Sequence, residues 1–245
     1  MNEEKFMRLD THVHTSGVSR CAKKTYQEVI EQRIEEGYDG LILTNHCQSW
    51  YYENTKEAYE AYMQSVLEEF HQAFEYGKAR SFRVILGLEV TLINPFYSDW
   101  LLYGVTEEFL KNSPILYALS QRELFAYCEK HGVLMVHAHP FRTAPNGEPA
   151  KGPGEKGYLH GIEINCTVGD LPFQEKVVES AKEWGALVTC GSDFHGRPKD
   201  LSGGMFVPSW IKTSVDFARY LRETDETWLF VVDKEIKVQN FSKKV

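Results

Sequence analysis

Strand-like apolar runs alternate along this chain with capped amphipathic helices, and that alternation restricts it to folds assembled from β/α units. The runs fall at 7–11, 40–44, 82–88, 100–105, 133–136, 161–165, 186–190 and 228–232. Two capping boxes, Thr25 with Glu28 and Ser120 with Glu123, mark helix starts, because in each pair both side chains satisfy a free backbone N–H of the other residue. Gly37 and Gly132 stop those helices. Between them, Tyr59, Met63, Val66, Phe70 and Phe74 recur every three or four residues up to Gly77, the spacing of one helix face. Pro172 and Gly185 bracket a fourth helix, and 213–222 forms a fifth. Near-continuous apolar runs such as LILT and LVTC suit parallel strands buried on both faces. The expected architecture is a single α/β domain over 1–245, a barrel related to the TIM fold.

Composition narrows the function. At 245 residues and 42% hydrophobic content the chain is long enough for one sizeable core. Thirty-five acidic residues against 27 basic ones give a formal charge of −8, so no bulk positive field is available to hold a nucleic-acid backbone, and a long polynucleotide is a disfavoured substrate. No apolar stretch approaches the ~20 residues needed to cross a bilayer, and the opening MNEEKFMRLD has no secretory core, so a cytoplasmic protein with no membrane partner is expected. Five cysteines without C-x-x-C spacing fit reduced thiols. Cys47 and Cys190 lie near candidate ligands in sequence, yet buried unligated thiols are the commoner state.

In a TIM-like barrel the functional groups gather at the C-terminal ends of strands. Here His12 and His14, His46, Glu89, His137 and His139, and Asp193 with His195 each close or follow an apolar run. Residues two apart on a strand project from one face, so each pair can point into one site. Imidazole and carboxylate together form the donor set that borderline divalent metals take. Pro140 fixes a turn after His139, placing that ring at the rim and leaving His137 to a supporting place. Glu89 needs a cationic partner wherever it is buried, and bridging two ions fits best. Asp10 is expected to orient a ligating imidazole. His71, His131 and His160 have ordinary structural readings, and Glu163 reads as a hydrogen-bonded core residue. The segment 143–157, rich in glycine, proline and charge, is expected to form a mobile loop over the site mouth.

The motifs DTHVHT, LTNH, GLE, HAHP and GSDFH, in that order from Asp10 to His195, resemble the polymerase and histidinol phosphatase (PHP) family. The resemblance implies a distorted (β/α)7 barrel with two or three divalent ions (Zn, Mn or Fe) that hydrolyses phosphoesters. It implies a first ion on His12, His14, Glu89 and Asp193, with Glu89 shared by a neighbour, a second on His46 and His195, and a third on His139. This chain departs from the family twice. Arg20 stands where a histidine often follows the first motif, and Thr106 where one follows the strand after GLE.

A bound divalent ion lowers the pKa of water from 15.7 to about 7 for zinc, and two ions together clamp attacking and leaving oxygens. Two ions less Glu89 and Asp193 leave a centre of roughly +2, matched to a phosphate monoester dianion. Arg20, Arg142 and Arg197 are candidates to grip phosphate oxygens through paired hydrogen bonds. The expected activity is hydrolysis of a small phosphorylated substrate, as a phosphatase or phosphodiesterase. The alternatives are amidohydrolase-type C–N hydrolysis and a metal-binding regulatory module without turnover. A glycosidase built on Glu89 and Glu163 leaves the histidines unexplained.

Overall fold

The computed structural model describes residues 5–93, 96–143, 152, 154–167, 169–197, 202–232 and 236–242. In chain order its elements are β1 (Phe6–Val13), α1 (Tyr26–Glu35), β2 (Gly40–Leu43), β3 (His46–Cys47), α2 (Lys56–Lys78), β4 (Arg83–Leu86), β5 (Leu88–Leu92), β6 (Ser98–Tyr103), α3 (Glu107–Lys111), α4 (Gln121–Lys130), β7 (Leu134–His137), β8 (Gly161–Asn165), α5 (Gln174–Trp184), β9 (Leu187–Gly191), β10 (Ser202–Pro208), α6 (Ser214–Glu223), β11 (Glu226–Val232) and β12 (Ile236–Ser242). Both expected capping boxes form, and Thr213 with Asp216 makes a third at the start of α6. Gly185 ends α5 at φ 63°, a left-handed turn that glycine adopts without steric cost. The expected loop at 143–157 lies largely outside the described residues. Among the described residues, no helix is long and apolar enough to cross a membrane.

The strands form two mixed sheets, ordered β12-β11-β10-β1-β2-β4 and β3-β5-β6-β7-β8-β9. The all-parallel arrangement expected from the alternation is corrected in two places. First, β6 runs antiparallel to both β5 and β7. Only a short link joins β5 to β6, and parallel pairing needs a crossover of a dozen or more residues. Second, β10, β11 and β12 form an antiparallel ribbon on the outer edge of β1. The sequence hides β10 because strands are poor in glycine, yet here Gly203 and Gly204 are required. A Cβ at Gly204 would stand 2.2 Å from the Leu9 carbonyl oxygen, and one at Gly203 2.1 Å from the Cys166 sulfur.

The sheets are joined where β2 leads through Thr44 into β3, and β4 through Gly87 into β5. Gly87 N donates to Leu43 O at 2.9 Å and Glu89 N to Asn45 O at 3.1 Å. They meet again at β1 and β9, where a parallel bridge pairs Val13 with Phe194 and Thr11 Oγ1 donates to Cys190 O at 2.8 Å. One apolar cluster draws Leu9, Ile42, Ile85, Leu101, Val136, Ile164 and Val188 from strands of both sheets. Another seats Tyr59, Met63 and Leu67 of α2 against Leu88 and Leu102. Full burial of a side chain of this size contributes about 1.5–3 kcal/mol.

Arg33 of α1 is fully buried, an unusual place for a guanidinium. Its Nη2 lies 3.2 Å from Asp10 Oδ2 and donates to Ser192 Oγ at 3.0 Å, and its plane covers the Phe194 ring at 4.0 Å. Asp10 in turn accepts from Ser192 N at 3.1 Å and Ser192 Oγ at 2.6 Å. Asp10 supports a candidate ligand through the backbone, its Oδ1 accepting from His12 N at 3.3 Å, while its carboxylate also fastens β1 and the exit of β9 to α1. Removing one partner of a buried pair leaves the other charge uncompensated, at a cost of about 3–5 kcal/mol. Arg33→Met should therefore move the urea midpoint sharply downward, and an unchanged midpoint would refute this role.

Candidate metal centre

Local backbone features aim the proposed ligands. β1 shifts register against β2 between Asp10 and Val13, an irregularity of the kind that re-aims side chains, and His12 lies inside it. His46 and Glu89 are direct partners across the parallel β3–β5 ladder. His139 and Asp193 hold φ values of 33° and 53°, where non-glycine residues are uncommon. Strain of this kind costs about 1–3 kcal/mol and persists only where the surroundings over-determine it.

The donors converge. His12 Nε2 and His14 Nε2 are 2.9 Å apart. Glu89 Oε1 lies 3.4 Å from His12 Nε2, and Glu89 Oε2 lies 3.3 Å from His14 Nε2. Asp193 Oδ1 is 3.4 Å from His12 Nε2 and 3.2 Å from His14 Nε2. Tetrahedral coordination with metal–nitrogen and metal–oxygen bonds of ~2.0–2.2 Å places neighbouring donors about 3.4 Å apart. Most of these separations match that edge length. On the far side of Glu89, His46 Nδ1 stands 2.7 Å from Oε2, a buried ion pair outside hydrogen-bond geometry. Imidazole and carboxylate donors this close and turned toward one another can share one cation. The residues present therefore fit divalent metal.

Among the described residues, three groups of donor atoms cluster tightly enough to hold ions: His12, His14 and Asp193; His14, His46 and His195; and Glu89, Asp99 and His139. All seven residues expected as ligands belong to this constellation. Thr106 instead caps α3, accepting from Phe109 N at 3.1 Å. Asp99, on antiparallel β6, comes near His139 Nε2 at 3.8 Å and is steadied by Thr91 Oγ1 at 2.6 Å. No histidine signal marks it, and the hairpin turn that delivers it is invisible to a parallel reading. His137 diverges from His139 and stacks on Trp100, with ring centroids 4.3 Å apart. Cys47 and Cys190 stay out of the clusters, lying against Tyr52 and Cys166.

Glu163, expected as a core residue, holds the centre's geometry. Its Oε1 is 2.8 Å from His12 Nδ1, which turns Nε2 toward the cluster, and its Oε2 accepts from His139 N at 3.1 Å and Asn165 Nδ2 at 3.0 Å. A Cβ at Gly191 would come within 2.5 Å of His12 Cβ and 2.9 Å of Glu163 Oε1, so the pair needs glycine beside it.

The three arginines occupy different places. Arg142 donates Nη1 to Asp193 Oδ2 at 2.7 Å and Nε to Asp170 Oδ2 at 2.9 Å, and its Nη2 reaches Asn165 and Thr167 at 3.2 Å. One donor positions Asp193, and the others are committed to Asp170, Asn165 and Thr167. Arg20 and Arg197 are exposed at the rim. Arg20 lies over the Tyr51 ring and donates to the Tyr51 carbonyl, and Arg197 Nη2 donates to Cys21 O at 3.3 Å. Cys21 itself turns inward, with Sγ 3.2 Å from His195 Nε2.

Electrostatics divides the imidazoles. Burial opposes charge on His12, but the Glu163, Glu89 and Asp193 carboxylates outweigh it and raise its pKa well above the ordinary value. Burial and the neighbouring His46 and His195 hold His14 well below it, so that ring stays neutral and keeps a lone pair for a cation. Burial also works against charge on Glu89 and Asp193. His46 and His12 nevertheless keep Glu89 ionised, and Arg142 with His195 does the same for Asp193.

No protein-family model and no curated protein matches the chain. Solved structures do. A protein from Bifidobacterium adolescentis described as a candidate metal-dependent phosphoesterase superposes with a TM-score of 0.57 at 17% identity, covering 89% of this chain and 96% of that one. A two-domain protein from Bacteroides vulgatus, described as containing a PHP-like metal-dependent phosphoesterase, gives 0.58 at 15% identity over 99% of this chain and 78% of its own. An amidohydrolase from Chromobacterium violaceum, with sulfate bound and no metal, gives 0.56 at 14% identity over 87% and 96%. At these identities the likeness establishes a shared fold, in agreement with the PHP motifs.

Ligand-orienting partners typically account for 10–100-fold in metal affinity. Glu163→Ala should weaken binding of the tightest ion by about that factor in a competitive chelator titration while the protein stays folded by circular dichroism. Unaltered affinity would remove Glu163 from the centre.

Proposed function

We propose that this chain is a metal-dependent phosphoesterase, a phosphatase or phosphodiesterase that hydrolyses a small phosphorylated substrate with metal-activated water. The observation that carries the reading is the convergence of one donor atom each from His12, His14 and Asp193 at 2.9–3.4 Å from one another, with Glu89 oxygens 3.3–3.4 Å from the two rings and further donors on both flanks. His46, His195 and His14 would hold a second divalent ion, and Glu89, Asp99 and His139 a third; imidazole with carboxylate suits zinc, manganese or iron. The strand junctions and the apolar cluster shared between the sheets support reading the fold as a distorted TIM-like (β/α)7 barrel with the site at its C-terminal rim.

Divalent ions bound there supply Lewis acidity and bring the pKa of water toward about 7 for zinc. The chain does the rest. Glu163 fixes the His12 tautomer and Arg142 fixes Asp193, so donors are preorganised instead of being gathered on binding. Arg20 and Arg197 place guanidinium groups at the rim, where a phosphate dianion approaches. A hydrolytic centre made of this many positive groups suits a substrate of charge about −2 better than a neutral amide.

C–N hydrolysis is the second reading, favoured by the amidohydrolase among the structural neighbours. Turnover of p-nitrophenyl phosphate against a panel of cyclic amides separates the two. Chelation should abolish phosphoester turnover and lower the melting midpoint, since an ion at about 100 times its Kd stabilises the fold by ~2.7 kcal/mol. A chelated protein with full activity would refute the proposal. His12→Ala and Asp193→Ala should each lose nearly all turnover. Arg197→Ala should raise KM for the phosphate ester by roughly tenfold, the worth of one charge-assisted hydrogen bond, with a smaller effect on kcat.

A further inference from the structure

The pocket formed by His46 and His195 has a fourth wall that no sequence motif marks. The loop leaving β1 is clamped by Asn45, whose Oδ1 accepts from Thr15 N at 3.0 Å and Ser19 Oγ at 2.8 Å. Lys23 N then donates to His195 O at 2.7 Å, and Arg197 Nη2 to Cys21 O at 3.3 Å. Held on both sides, Cys21 presents its sulfur to the pocket, 3.2 Å from His195 Nε2, while Tyr51 Oη donates to it at 3.3 Å. The other described cysteines are buried, with Cys47 against Tyr52 and Cys166 against Cys190.

We infer that Cys21 is a thiolate ligand of the ion held by His46 and His195, taking the place the resemblance gives to an imidazole. The inference rests on the metallohydrolase reading and goes beyond it by assigning a ligand of different chemical class. A zinc–sulfur bond of ~2.3 Å and a zinc–nitrogen bond of ~2.0–2.1 Å at tetrahedral angles set sulfur and nitrogen about 3.5 Å apart, close to the observed spacing. The pocket also contains Glu89 Oε2 and His46 Nδ1, a buried pair 2.7 Å apart and outside hydrogen-bond geometry, so an ion there would take donors from both sides. On binding, the sulfur–metal bond forms as the S–H proton leaves to solvent. Tyr51 Oη then donates to the bound sulfur, as outer partners of metal ligands do. A thiolate also shifts preference toward softer ions, so this one site of the three should favour zinc over manganese. Three divalent ions balanced by Glu89, Asp99, Asp193 and the thiolate leave roughly +2, the same match to a phosphate dianion as before.

Cobalt(II) titration of the full chain tests the assignment, because cobalt bound to thiolate shows near-ultraviolet sulfur-to-metal charge transfer that nitrogen and oxygen ligands lack. Wild type should show the band. Cys21→Ser should lose it together with one bound ion per chain, whereas Cys21→His should retain the ion count without the band. Cobalt should also protect Cys21 from iodoacetamide in the wild-type protein, read by mass spectrometry, a measurement that decides the matter even if the serine variant fails to fold. Cobalt bound without the band or the protection, or a band that persists in Cys21→Ser, overturns the ligand assignment, while phosphoester turnover judges the hydrolase reading separately. Wild type that binds no cobalt overturns both.

Discussion

A single buried carboxylate holds the centre together. Glu89 is fully enclosed, and burying an unpaired carboxylate costs several kcal/mol, on the order of what a small domain has to spare. Four imidazoles, His12, His14, His46 and His139, approach its two oxygens at 2.7–3.4 Å. They come from strands of both sheets. Their convergence is therefore not an ornament on a finished fold: it is one of the reasons the two sheets must meet where they do.

The groups around Glu89 are in turn held by a second ring of polar contacts, each fixing one degree of freedom. Glu163 sets the His12 ring and the His139 backbone, Arg142 sets Asp193, and Asn45 sets the loop that carries Ser19 and Cys21. Arg33 and Asp10 tie α1 to the exits of β1 and β9. Buried ion pairs seldom improve stability over a well-packed apolar core. Here they coincide with positions of left-handed backbone at His139 and Asp193, so stability is traded for fixed placement of the donors.

Much of this was legible in one dimension. Capping boxes and helix-stopping glycines are local signals, and they located α1, α4 and the end of α5 because the interactions involved span only a few residues. The histidine and acidic residues closing apolar runs named seven members of the constellation for a similar reason: the ends of these strands lie close together where the two sheets meet. Asp99 and Glu163 escaped because a lone carboxylate in an apolar run carries no metal pattern of its own. The placement of Cys21 beside His195 is not legible either, since a one-residue choice in an irregular loop depends on backbone turns that periodicity does not encode. Strand β10 escaped because glycines are rare in strands, whereas here they let Leu9 and Cys166 approach.

The alternation of the main helices and strands, the α/β class and the identity of most metal-seeking side chains were determined by the sequence alone, because each follows from short-range periodicity and residue chemistry. Tertiary structure decided which strands run antiparallel, which carboxylate supports which imidazole, and whether a side chain such as His137 faces the cluster or Trp100. Those choices depend on contacts between residues far apart in the chain, with burial energies and hydrogen-bond geometry that exist only once the sheets have packed against one another.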